Sequence, residues 1–63
     1  MTKTLIIVPT YNEQYNIKPL IKNIFKYYKK NKDVLFIDDN SIDKTRLKIE
    51  ECQKKYKKIY LKQ

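Results

Sequence analysis

Two short apolar runs, Leu5-Ile6-Ile7-Val8 and Val34-Leu35-Phe36-Ile37, each lead directly into a polar signature. Pro9-Thr10-Tyr11-Asn12-Glu13 follows the first, and Asp38-Asp39-Asn40-Ser41-Ile42-Asp43 follows the second. One stretch with helical periodicity separates them. A strand, a crossover helix and a second parallel strand would carry both signatures to the same edge of one sheet. Ligands of open α/β sheets bind outside that carboxyl edge. The pattern therefore reads as half of a nucleotide-binding site.

The remaining periodicities complete a β-α-β-α-β order. Thr4 to Val8 is continuously β-branched or aliphatic, which suits a parallel strand buried on both faces. Pro9 lacks a ladder donor, so this strand is expected to end there. Ile17, Leu20, Ile21, Ile24, Phe25 and Tyr28 form one apolar stripe on a helix expected from about Asn16 to Lys29. Asn16 is its expected cap. The second strand is expected over Val34 to Ile37 or Asp38. Ser41 or Asp43 then caps a second helix, roughly Lys44 to Lys57, whose buried line is Thr45, Ile49, Cys52 and Tyr56. Ile59-Tyr60-Leu61 begins a third strand. With right-handed crossovers the strands lie 3-2-1, the first at an edge. An apolar strand makes a poor exposed edge, so residues 1–63 are expected to be the N-terminal part of one incomplete domain.

Composition limits what this unit can do. A chain of 63 residues buries only roughly 60% of its unfolded surface, and its single cysteine cannot form an internal disulfide. An unpaired thiol fits a reducing, cytoplasmic setting. The absence of histidine removes the commonest general base and argues against zinc. The net charge of +8 comes from 14 lysines against one arginine. Readers of nucleic acid favour arginine for its bidentate geometry, and AT-rich coding alone produces such a Lys, Asn, Ile and Tyr excess. No nucleic-acid partner is therefore expected. The apolar opening is shorter than the ~7 residues of a leader core, and no run approaches the ~20 residues of a membrane span. Any membrane contact in these residues is peripheral.

The sequence contains no glycine, which excludes both a Rossmann fingerprint and a P-loop, since each brings backbone amides close to phosphate. Side chains must instead hold base and ribose. Tyr11 offers a ring face, and Glu13 can accept ribose hydroxyls. Strand side chains alternate, so only Asp39 shares the face of Ile37, while Asp38 points the other way. Asp39 can accept N–H bonds from a base edge resting on Ile37. Taken singly, each has a structural alternative: Tyr11 a turn aromatic, Glu13 a helix-start charge, Asp39 a turn former. Their convergence after consecutive strands favours the binding reading. Asp43 reads first as a helix cap, Cys52 as a small buried hydrophobe, and the lysine pairs near the C-terminus as a solvated face.

Ile7-Val8-Pro9-Thr10-Tyr11-Asn12-Glu13 with Asn16-Ile17, and Val34 to Thr45 read as V-L-F-I-D-D-N-S-I-D-K-T, resemble the two opening signatures of family-2 inverting glycosyltransferases. The P-T-Y-N-E form and D-D-x-S-x-D-x-T are most similar to the dolichyl-phosphate mannosyltransferase branch. The resemblance covers the whole chain. It implies the N-terminal, nucleotide-binding half of a GT-A (Rossmann-like) domain and transfer of a sugar with inversion. The implied donor is a nucleotide-diphosphate sugar, GDP-mannose in this branch. The implied acceptor is a polyprenyl phosphate at the cytosolic face of a membrane, the endoplasmic reticulum in a eukaryote.

The resemblance places the nucleotide contacts on Pro9, Tyr11, Glu13, Ile37 and Asp39. It also implies a divalent metal, Mg or Mn, for the complete domain. The D-x-D motif that binds it and the acceptor-side catalytic residues come later, so no metal ligand or catalytic residue is expected within residues 1–63. Alone, the chain is expected to be inactive. Asn40 and Lys44 stand where this branch has glycines. A phospho-receiver domain shares the strand and acidic pair of Val34 to Asn40 but leaves the first βα unit unexplained. A non-catalytic binding module predicts steeply salt-dependent association with nucleic acid.

Overall fold

The computed structural model describes residues 3–63; Met1 and Thr2, at the head of the leader-like opening, lie outside the described residues. Five elements follow in chain order: β1 (Thr4–Thr10), α1 (Ile17–Tyr27), β2 (Lys32–Asp38), α2 (Thr45–Lys55) and β3 (Ile59–Lys62). The strands form one sheet in the order β1-β2-β3, with both pairings parallel. The arrangement is the Rossmann-like β-α-β-α-β unit that the periodicities predict.

Both crossovers step the same way across the sheet, so both helices land on one face. The core shows this directly. Ile17 and Ile21 of α1, Val34 and Phe36 of β2, Ile49 and Cys52 of α2, and Ile59 of β3 are buried together. Full burial of each large side chain is worth about 1.5–3 kcal/mol. The other face of the sheet is bare among the described residues. Leu5 and Ile7 are 56% and 55% exposed, while Ile6 and Val8 pack against the core. The apolar run of β1 is thus covered on one face among the described residues, where its continuity predicts two.

Pro9 does not end β1. The strand runs on to Thr10, with Pro9 opposite Ile37 and Thr10 opposite Asp38. Peptide groups alternate sides along a strand. The Thr10 carbonyl accepts the Asp39 N–H at 2.9 Å, so Thr10 faces β2 and Pro9 turns its missing donor to the open edge. An edge strand tolerates proline there.

Each helix stops a residue or two earlier than its periodicity predicts, at a tyrosine that turns out of helical geometry. Tyr28 is extended after α1, and its phenol donates to Thr4 Oγ1 at 2.9 Å. Tyr56 is extended after α2 and stacks on Phe25, ring centroids 4.6 Å apart. Asn16 precedes α1, but its side chain makes no capping bond. β2 opens at Lys32, two residues before the Val34 start that its apolar run predicts. The Lys32 ammonium lies 4.5 Å from the centroid of the Phe25 ring and 5.9 Å from that of Tyr28. That cation–π contact keeps a charge comfortable at 9% exposure.

Candidate functional site at the carboxyl ends of β1 and β2

The loops after β1 (residues 11–16) and β2 (residues 39–44) lie side by side at the carboxyl edge. The Asp39 N–H to Thr10 O bond extends the strand pairing one residue beyond β2. It sets Asp39 against the residue that precedes Tyr11. Pro9 and Ile37 face each other in register, and Ile37 is 39% exposed on the bare face. Tyr11 is 56% exposed, Asp39 is exposed and Glu13 is half-buried. Four of the five sequence-predicted residues, Pro9, Tyr11, Ile37 and Asp39, therefore present accessible groups at one edge. Glu13 belongs to the same loop but is more enclosed.

Alternation along β2 divides the acidic pair. Asp38 points to the helix side and is 2% exposed. Its Oδ1 accepts the Thr10 hydroxyl at 2.8 Å and the Ser41 hydroxyl at 2.6 Å, and its Oδ2 accepts the Ser41 N–H at 2.9 Å. Burial pushes the Asp38 carboxyl up, but the Ser41 hydroxyl, Ser41 amide and Thr10 hydroxyl outweigh it and hold the group below its ordinary value.

A second set of bonds ties loop to loop. The Asn12 N–H donates to Ser41 Oγ at 2.9 Å, and the Ile42 N–H returns to Asn12 Oδ1 at 3.1 Å. The Glu13 N–H donates to Thr45 Oγ1 at 2.7 Å, and the Gln14 N–H to Asp43 Oδ2 at 3.3 Å. The Lys44 N–H donates to Gln14 Oε1 at 2.9 Å. Asp43 Oδ1 accepts the Thr45 N–H at 2.9 Å and also the Thr45 hydroxyl. The cap position of α2 falls on Lys44, whose side chain makes no capping bond, rather than on Ser41 or Asp43. Asp43 serves the first residue of α2 from one position earlier and reaches across to the other loop. Enclosure raises the Asp43 carboxyl, and the bonds from Thr45 and Gln14 bring it below its ordinary value.

Sequence reasoning missed this lacing. Its only signal was the density of Asn, Ser, Asp and Thr, whose short side chains bond nearby backbone. Asn40 has φ 55 and Asn12 φ 50. Among residues with a Cβ, asparagine tolerates that left-handed region best, so Asn40 can stand where a glycine would otherwise be needed.

The edge offers two carboxylates, an exposed aromatic ring and an apolar strand tip. Those groups can accept donors from a base and a sugar and pack against a ring. The successive amides of Asn12, Glu13 and Gln14 are already bonded, so they are not free to cradle phosphate. Among the described residues no three His, Cys, Asp or Glu side chains converge to hold a metal. The site is an exposed shelf, with Pro9, Tyr11, Ile37 and Asp39 all accessible. A recess of about 240 Å³ lies instead in the helix layer, bordered by Lys18, Lys22, Glu51, Cys52, Lys55 and Tyr56.

The family description "Glycosyl transferase family 2" matches residues 5–63. The chain is also 43% identical, over 53 residues, to the dolichyl N-acetyl-alpha-D-glucosaminyl phosphate 3-beta-D-2,3-diacetamido-2,3-dideoxy-beta-D-glucuronosyltransferase of Methanococcus voltae. That match covers 81% of this chain and 16% of the length of that relative. No solved structure matches.

Proposed function

This chain belongs to glycosyl transferase family 2, and from that premise we propose that its carboxyl edge binds the nucleoside end of a nucleotide-diphosphate sugar. The observation that supports this is the Asp39 N–H to Thr10 O bond, which brings Asp39 alongside Tyr11 at the tips of adjacent strands. In this reading Tyr11 packs on the base and Glu13 accepts ribose hydroxyls. Asp39 accepts base N–H groups over Ile37 and Pro9. Side chains do the recognising, because the loop amides are engaged elsewhere.

For the complete protein we propose sugar transfer to a polyprenyl-phosphate acceptor at the cytosolic face of a membrane. The opening signatures favour GDP-mannose as donor. A second reading is a donor other than GDP-mannose, such as a UDP-sugar; the name of the Methanococcus voltae relative specifies a diacetamido-dideoxy-glucuronosyl unit in place of mannose. A divalent cation belongs to this proposal only through residues outside the segment. No helix among the described residues is long and apolar enough to cross a membrane.

Calorimetric titration of the chain with GDP, UDP and the corresponding nucleosides tests the reading. One base should bind in preference to the other, and its nucleoside should bind nearly as well as its diphosphate. Asp39→Asn should weaken binding about tenfold, the scale of losing hydrogen bonds to a charged acceptor. Failure of every nucleotide to bind would remove the proposal.

A further inference from the structure

We infer that Thr45, with Ser41 and Asp43, is a positioning residue that holds the Tyr11 loop in its binding shape without touching the ligand. The inference rests on the nucleotide-binding reading above and adds a division of labour within the second signature. Asp39 is exposed and follows Ile37 on the same face of β2 by strand alternation. Ser41, Thr45 and Asp43 accept, in that order, the N–H groups of Asn12, Glu13 and Gln14.

Thr45 is central to this arrangement. It is the first residue of α2 and fully buried. Its hydroxyl donates to Asp43 and accepts from the Glu13 amide at 2.7 Å, so one oxygen joins both loops to the start of a helix. A hydroxyl has the one donor and the acceptor capacity that this place uses. Its methyl group is free to pack. The Asn12 backbone is left-handed, a region asparagine tolerates best among residues with a Cβ. Its amide and side chain are both tied to the second loop, through Ser41 and Ile42. Loss of the Thr45 hydroxyl frees the Glu13 amide and lets the segment carrying Tyr11 and Glu13 move relative to Asp39.

The test combines nucleotide titration with amide hydrogen exchange on wild type, Thr45→Val, Thr45→Ser and Tyr28→Phe. Valine keeps the shape and loses both bonds; serine keeps the hydroxyl. Tyr28→Phe removes a bond to Thr4, near the opposite strand ends, and controls for general destabilisation. Thr45→Val should bind nucleotide about tenfold more weakly. Exchange at the Glu13 amide should quicken while the core amides of Ile21, Val34 and Phe36 stay protected. Thr45→Ser should restore both, and Tyr28→Phe should change neither.

Wild-type affinity in Thr45→Val, a loss no larger than in Tyr28→Phe, or failure of Thr45→Ser to restore binding each overturns the inference and leaves the nucleotide reading standing. A wild-type chain that binds neither GDP nor UDP removes both. Should Thr45→Val fail to fold, Ser41→Ala carries the same test, with the Asn12 amide as the exchanging site.

Discussion

The carboxylate of Asp38 lies on the helix side of the sheet and takes three hydrogen bonds, from the Thr10 hydroxyl and from the Ser41 amide and hydroxyl. Burial works against its charge, but those donors prevail, so its folded pKa lies below the ordinary 3.8. A carboxylate held lower in the folded than in the unfolded chain adds stability above the unfolded value. That contribution fades as pH falls through the folded value. Urea titrations at decreasing pH should therefore show the midpoint dropping below pH 3.8. Asp38→Asn sets an amide N–H₂ against donors that one oxygen cannot all satisfy. It should cost roughly 1–3 kcal/mol at neutral pH and flatten the acid end of the profile. Strand alternation made the opposite facing of Asp38 and Asp39 legible in the sequence. The bond from Thr10 was not, because Thr10 is 28 residues away in the chain.

At the scale of elements, periodicity located every strand and helix, because each apolar stripe had one core to meet. The ends were less legible. Helix ends depend on single side chains, and here Tyr28 and Tyr56 leave the helices for partners on other elements. Caps divide in the same way. Asn16 has a capping residue's identity but no capping bond, whereas Asp43 accepts from the start of α2 and from the Gln14 amide as well. Asn16→Ala should accordingly stay within about 0.5 kcal/mol of wild type in a urea titration. Asp43→Ala should lower the midpoint further, since it releases donors on two elements. An equal response from the two variants would mean that the distant bond to Gln14 adds nothing.

The whole molecule is a two-layer object, three strands under two helices, with one side of the sheet uncovered among the described residues. Leu5, Ile7, Ile37 and Tyr60 are 56%, 55%, 39% and 50% exposed. Parallel sheets are ordinarily covered on both faces, and this chain spans 16% of the curated relative it matches. Composition anticipated a small, marginal unit, and the apolar run of β1 anticipated a second cover. The one-sided layout itself follows from the direction of the crossovers, which no local pattern records. Exposed apolar area of this kind promotes association. Ile7→Lys should reduce binding of a hydrophobic dye and raise solubility, while the thermal midpoint changes little. A large fall in that midpoint would mean that Ile7 supports the fold from the outer face.

The lacing between the two loops also bears on speed. Flexible loops must be ordered when a ligand arrives, at a cost that weakens binding and slows capture. Here the Tyr11 segment is immobilised as the polypeptide folds, through partners about 30 positions further along. In the proposed reading a nucleotide meets loops already tied together, so its association rate should respond to solvent viscosity rather than to loop rearrangement.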